Sequence, residues 1–329
     1  MFGYIIRRIL IMIPTLFAIS ILTFILLQLP PGDYLTSYAA QLRSQGDMVQ
    51  QEQIDTLRER YGLGQPVYLQ YGKWVYGIVT RGDFGQSMEW QKPVKDLVWE
   101  RMGLTLLLAF FALMISWFVA IPVGVYSATH QYSIPDYIMS GISFLGVGVP
   151  GFFLALIVLY LAQTQLGLNV GGLFSQEYVS APWSWDKVVD LLKHAWIPLV
   201  ILAVEGTAGT IRTTRANLLD ELNKPYVELA RAKGQTEGKV IWKYPVRVAL
   251  NPFFSTVGWS LANQISNITL MSVVLSLDTT GPMQLRALTS QDMYLAGSLL
   301  LLLSALTVLG TLVSDILLAW VDPRIRLEG

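Results

Sequence analysis

Glu205 stands alone as an acid inside an otherwise apolar run, HAWIPLVILAVEGTAG. An ionised side chain at the centre of a membrane helix costs about 2.5–3.5 kcal/mol even on the insertion scale, so such an acid is protonated, hydrogen-bonded or wet. Arg212 lies seven residues on, about 10 Å along a helix, too far for direct pairing. Two roles stay open for Glu205: a polar contact with a neighbouring helix, or lining of a translocation path. Other chemistry is scarce. Gly234–Val240, GQTEGKV, has one residue too few between its glycines for a phosphate loop and no Ser/Thr after Lys239. No Gly-x-Ser-x-Gly or His-Glu-x-x-His occurs, so no catalytic residue is assigned. The chain has no cysteine and only two histidines, His130 and His194, so neither a thiolate nor a metal site is expected.

The elements that would carry Glu205 are membrane helices. Of 329 residues, 53% are hydrophobic and 14% charged, against about 25% charged in soluble domains. Formal net charge is zero, which gives no electrostatic case for nucleic acid. Ile9–Leu29, after Arg7-Arg8, is too long for a signal-peptide core and reads as the first span. The spacing predicts further spans over Leu104–Ala128, Tyr137–Leu161, Ala195–Ile211, Pro252–Leu275 and Leu295–Trp320. The third contains Gly146, Gly148, Pro150 and Gly151, breakers that mark close packing or a kink beside a cavity, and Gly148 and Pro150 are candidate path residues with Glu205.

Pro30–Arg101 lacks a spanning run and reads as an external insertion. Asp47–Tyr61 and Pro66–Arg81 have one apolar face each and end at Gly62 and Gly82, so both are expected to be amphipathic helices. Pro93–Arg101 is expected to be a third, lying at the interface. Leu166–Lys193 is a second external loop, with Trp183, Trp185 and Trp196 fitting an interfacial belt. Inside segments then hold twelve Lys/Arg, and the short outside loops three, Lys187, Lys193 and Arg286. That imbalance puts both termini in the cytoplasm.

A basic stretch between two apolar spans is Tyr226–Arg247, YVELARAKGQTEGKVIWKYPVR, with Lys224 just before it. Tyr226–Lys233 reads as a short helix stopped by Gly234, with a second over Glu237–Tyr244 before Pro245. On the physics alone it is either a solvated loop that fixes topology or a docking elbow for a soluble partner.

Glu228, Ala230 and Gly234 match the Glu-Ala-Ala-x-x-x-Gly signature of ABC importer permeases, with Leu229 departing at its second position. YVELARAKG resembles the version in the dipeptide/oligopeptide permease family. Pro31-Gly32-Asp33, YGLGQPVYLQYGKWV, RGDFGQS, Pro93-Val94 and Thr105-Leu106 resemble the external segment of that family's first subunit, in order and spacing. Arg212 and Arg215 fit its Arg-x-x-Arg, and Asp315, Asp322, Pro323, Arg324 and Arg326 resemble its terminal pattern. Between the last two spans the family's Val-Glu and Pro-Gly-Ile-Gly are replaced by SVVLSLDTTGPM, residues 272–283, leaving the cargo open between peptide and oligosaccharide.

The resemblance implies an all-α membrane protein in three parts: 1–29, the first span; 30–102, a helical external insertion; and 103–329, a five-helix core with a cytoplasmic coupling loop at 212–250. It implies a permease subunit of an ATP-driven importer in the bacterial or archaeal cytoplasmic membrane. Its partners would be a second homologous permease, two ATP-binding subunits and an external solute-binding protein. The permease itself would be no enzyme and bind no cofactor, with ATP and Mg used by the partner subunits. Tyr226, Glu228, Leu229, Ala230, Arg231, Ala232 and Gly234 would couple to the ATPases. The rival class is an autonomous proton-coupled transporter with Glu205 as its carboxylate. Against it stand the isolation of that acid and the lack of an obvious inverted repeat.

Overall fold

The computed structural model describes residues 2–30, 32, 34–36, 58–59, 64–167 and 171–321. Its named elements are all helices: α1 (Phe2–Gln28), α2 (Val67–Arg81), α3 (Val94–Thr129), α4 (Ile134–Gly148), α5 (Gly151–Leu166), α6 (Gln176–Val179), α7 (Trp185–Leu222), α8 (Pro225–Ala232), α9 (Glu237–Lys243), α10 (Pro245–Ala249), α11 (Asn251–Val274), α12 (Thr280–Thr289) and α13 (Met293–Val321). The chain divides into two compact units, one of Met1–Ile6, Thr105–Asp278 and Leu309–Gly329, the other of Arg7–Leu104 and Thr279–Val308.

In the second unit, α2 begins after Pro66 and ends where Gly82, at φ 62°, turns its N–H back to the carbonyls of Gly77 and Ile78. That left-handed turn is the expected stop. The apolar face of α2 meets α1: Phe24 stands edge-on to Tyr71 at 5.3 Å, with Trp74 at 5.8 Å. Ser20 Oγ and the Tyr71 hydroxyl share a 2.8 Å hydrogen bond. Trp74 is buried, whereas Ile78 is only half-buried. The helix expected over Asp47–Tyr61, with Ile54 and Leu57, falls almost wholly outside the described residues.

Asp292 ties this unit together. Its Oδ2 accepts hydrogen bonds from Ser87 Oγ (2.6 Å), Met88 N (2.9 Å) and Glu89 N (3.1 Å), while Oδ1 takes the Leu295 N–H at 3.2 Å and so caps α13. Arg286 pairs with Glu89 at 2.8 Å. Helix α12, over Thr280–Thr289, carries Arg286 and was not foreseen from the sequence.

The first unit is organised on α7, which packs against α4, α5, α10 and α11. Glycines set these approaches. A methyl group at Gly124 would come within 2.6 Å of the Thr214 Cβ, and one at Gly146 within 2.8 Å of the Ala208 Cβ. At the crossing of α11 and α13, a side chain on Gly258 would overlap the Gly310 backbone, and the Gly258 N–H reaches Ser314 Oγ at 2.6 Å. Small residues at a crossing let apolar helices approach at backbone distance.

Two expectations change. Residues 93–101 do not form a separate interfacial helix: Val94 starts a single 36-residue α3, because no proline separates residues 94–101 from the apolar run and the helix continues even through Pro122. The third span is not one rod: α4 and α5 meet at a 98° bend at Val149–Pro150. Pro150 cannot donate a main-chain N–H and disfavours helix at the residue before it. Val149 accordingly sits in extended conformation.

Among the described residues, α1, α3 and α13 are long and apolar enough to cross a membrane, and the bent α4–α5 pair gives a fourth candidate. Helices α7 and α11 are long enough but more polar, carrying Glu205, Thr210, Thr214, Gln264 and Asn267. Several of these face inward: Thr214 and Gln264 are buried.

Candidate functional site

Three constellations of the first unit involve residues that could act. The first is the basic elbow. Pro225 opens α8, and its Val227 and Ala230, one turn apart, are buried against Val240 of α9 beside Tyr244. Ala230 therefore lies in the elbow's own small core. The opposite face leaves Tyr226, Glu228, Leu229, Arg231 and Ala232 exposed, with Leu229 57% accessible. Gly234 ends the helix at φ 71°, with open space around it.

Hydrogen bonds stiffen this elbow. The Tyr226 hydroxyl donates to Glu221 Oε2 at 2.5 Å, and burial together with that carboxylate pushes its pKa up. Arg231 reaches back to Glu237 with Nη2–Oε1 at 2.7 Å, which lowers the Glu237 pKa. Gln235 donates to the Tyr244 hydroxyl at 3.1 Å. Below it, Val246 and Ala249 of α10 pack with Val125 and Ala128 of α3 and Leu218 of α7. Asn217 Nδ2 donates to the Ala249 carbonyl at 3.3 Å. A push on α8 would therefore reach the ends of two long helices through packed side chains.

The second constellation is centred on Asp136 at the start of α4. Arg215 of α7 grips it with Nε–Oδ1 at 2.8 Å and Nη2–Oδ2 at 2.9 Å. Ser127 Oγ also donates to Oδ1, and the Tyr132 N–H donates to Oδ2 at 2.9 Å. The carboxylate is almost fully buried. Arg215 is visible in the sequence as part of the Arg-x-x-Arg pattern, but its partner, 79 positions earlier, carries no local signal.

The third is Glu205. Its carboxylate comes up against Gly151, the first residue of α5, where any Cβ would overlap Oε2. A cavity of about 100 Å³ opens there, lined by Pro150, Gly151, Phe152, Leu202, Glu205 and Asn267 among others. Oε2 is buried with no hydrogen-bond partner among the described residues. The bend makes Gly151 and Phe152 the first turn of α5, whose N–H groups have no helical carbonyl to take, and a carboxylate is favoured beside such a terminus. Pro150 thus joins Glu205 at one cavity, while Gly148, the exposed last residue of α4, is not among its lining residues. Gly151 and Asn267 were not singled out for this role. The signal for Gly151 was only its place in a cluster of helix breakers.

Among the described residues, no group of three or more His, Asp or Glu could hold a metal ion. Trp183 and Phe174 flank the Lys187 ammonium at 5.3 and 4.8 Å, and Lys187 donates to the Ala181 carbonyl at 2.7 Å. These contacts anchor the start of α7.

Residues 120–327 match the family described as the inner membrane component of binding-protein-dependent transport systems, and residues 1–109 match the N-terminal region of such components. The oligopeptide transport system permease protein AppB of Bacillus subtilis is 35% identical over 99% of this chain and 100% of its own length. The dipeptide transport system permease protein DppB of Alkalihalophilus pseudofirmus is 29% identical over 99% and 100%. The peptidoglycan transport system permease protein YejB of Agrobacterium fabrum is 28% identical over 99% and 98%. A solved structure of the MetNI methionine ABC transporter, in an inward-facing conformation, shares the fold at a TM-score of 0.54 and 18% identity, covering 69% of this chain and 96% of that one. The chain is thus a multi-pass inner-membrane permease and belongs to the binding-protein-dependent, ABC-importer family of membrane components.

Proposed function

We propose that this permease forms half of the path of an ATP-driven peptide importer. A second, homologous permease supplies the other half. Two ATP-binding subunits hydrolyse ATP with Mg, and an external solute-binding protein delivers the cargo. The chain itself has no ATPase site and binds no cofactor. Peptide cargo rests on the relatives, which are named for oligopeptides and dipeptides over their full length. The divergent residues 272–283 are why oligosaccharides stay in the test as competitors.

The observation that carries the coupling role is the two-faced helix α8. One face, Val227 and Ala230, is sealed into the elbow, and the other, Tyr226, Glu228, Leu229, Arg231 and Ala232, is exposed and basic-rimmed. This face docks in a groove of an ATPase subunit, and α10 transmits its movement to α3 and α7. In this arrangement six spans put both termini in the cytoplasm, 1–29 forms the first span, 30–102 the external cap, and 103–329 the core with the coupling loop 212–250. Glu205, with Pro150 and Gly148, lines the path.

Uptake by the reconstituted importer tests the reading. Vanadate-sensitive, uncoupler-resistant uptake of peptides that excess oligosaccharide does not compete away supports it, whereas uncoupler-sensitive uptake by the permease alone favours proton coupling through Glu205. A cysteine at Gln51, in this cysteine-free chain, labels with an impermeant thiol reagent in intact cells if 30–102 lies outside. Labelling only after lysis overturns that topology.

A further inference from the structure

The cavity at the bend between α4 and α5 has a chemistry narrower than a general path lining. Among the described residues, its single ionisable side chain is Glu205, whose buried Oε2 has no hydrogen-bond partner there. Asn267 and Phe152 line the cavity too, and Leu202, Leu270 and Met271 add apolar wall. Among the described residues, no Lys, Arg or His lines the space. A buried carboxylate oxygen that receives no hydrogen bond is complemented by a cation that can donate one.

The remaining walls select among cations. A hard metal ion takes six or more oxygen ligands, and one carboxylate with one amide carbonyl cannot supply them. A primary ammonium needs only a few acceptors, and its first carbon atoms gain from apolar and aromatic contact. At about 100 Å³ the cavity holds an ammonium head and its nearest carbons, not a whole peptide. Gly151 is what leaves the carboxylate room, since any side chain there would occupy the position of Oε2.

The geometry points to a station for primary ammonium groups: Glu205, with Asn267 and Phe152, receives the amino terminus or a lysine side chain of the passing peptide. This rests on the reading of Glu205 as a path residue and adds the chemical class that it selects. The station is a specificity device distinct from the binding protein, because it engages one end of a cargo already delivered.

The test uses the assembled importer with its binding protein in proteoliposomes. The probe is a tryptic casein digest, half of it acetylated on all amino groups, with uptake of each free and acetylated pair read by mass spectrometry. Glu205→Gln keeps the size and removes the charge, and it is expected to lower the free-to-acetylated uptake ratio by about tenfold or more, the effect of losing a charge-assisted hydrogen bond. Asn267→Leu is expected to lower the same ratio by about threefold, as for a neutral bond, and decides the matter if Glu205→Gln does not assemble. Uptake that falls for both peptide forms with an unchanged ratio leaves the path role standing and overturns the ammonium station. Unchanged uptake and an unchanged ratio overturn both, and so does a wild-type importer that takes up no peptide from the digest.

Discussion

Arg215 and Asp136, on helices α7 and α4, form a two-pronged ion pair whose carboxylate is almost fully buried and is further held by Ser127 and the Tyr132 N–H. Removing one partner of such a pair strands a buried charge, which costs about 3–5 kcal/mol. Arg215→Ala should therefore lower the melting temperature of the detergent-purified protein markedly. Arg215→Lys keeps the charge but loses the fork and should fall between. An Arg215→Ala protein that melts with the parent would show that the pair holds nothing.

Gly234 is open to solvent on its Cβ side and needs a left-handed backbone. A side chain there costs about 1–2 kcal/mol of local strain but meets no clash. Gly234→Trp should insert and purify normally, while its ring intrudes beside the exposed face of α8. Uptake should fall to background while the ATPase subunits still turn over. Normal uptake would contradict docking through this helix.

Much of this elbow was legible in the sequence. Gly234, the Lys/Arg cluster and the short helix before it are local signals, and they fall within a residue or two of the observed bounds. Gly82 likewise stops α2 as expected. What escaped depends on partners far along the chain. Nothing near Asp136 announces Arg215, and nothing near Glu205 announces Gly151, 54 positions before it. The bend at Val149–Pro150 was visible as a run of breakers, but helix breakers do not state an angle. Polar residues scattered on α7 and α11 also dilute the apolar signal of two expected spans, because their targets lie across helix contacts that periodicity does not encode.

The pairing of Arg231 with Glu237 gives the elbow a pH dependence. Arg231 lowers the Glu237 pKa below its ordinary 4.5, so the pair's contribution is fully present above that ordinary value and is lost as pH falls through the depressed one. Both side chains are largely exposed, 40% and 56%, and such pairs contribute only about 0.2–1 kcal/mol. Protection factors of residues 225–243, with the intrinsic exchange rate divided out at each pH, should fall slightly on acidification below pH 4.5. Glu237→Gln should remove that pH dependence; a dependence unchanged in the variant would assign it to another group.

At the crossing of α11 and α13, Gly258 lies against the Gly310 backbone. Gly258→Leu forces the helices apart, and overpacking of this sort costs about 1–3 kcal/mol or more. Gly258→Leu should reduce the yield of folded protein and its melting temperature. Undiminished yield and melting temperature would mean that the two helices do not approach at backbone distance.

A single cysteine tests most directly whether this chain meets an ATPase subunit through the outer face of α8. With no native cysteine to confuse the result, Leu229→Cys in the assembled importer can be joined to cysteines placed around the groove of the ATPase subunit by a short bifunctional thiol reagent. The account predicts a cross-linked permease–ATPase species from Leu229→Cys and none from Val227→Cys, whose side chain is sealed in the elbow. Cross-linking from neither position, in a complex that still imports cargo, would contradict it.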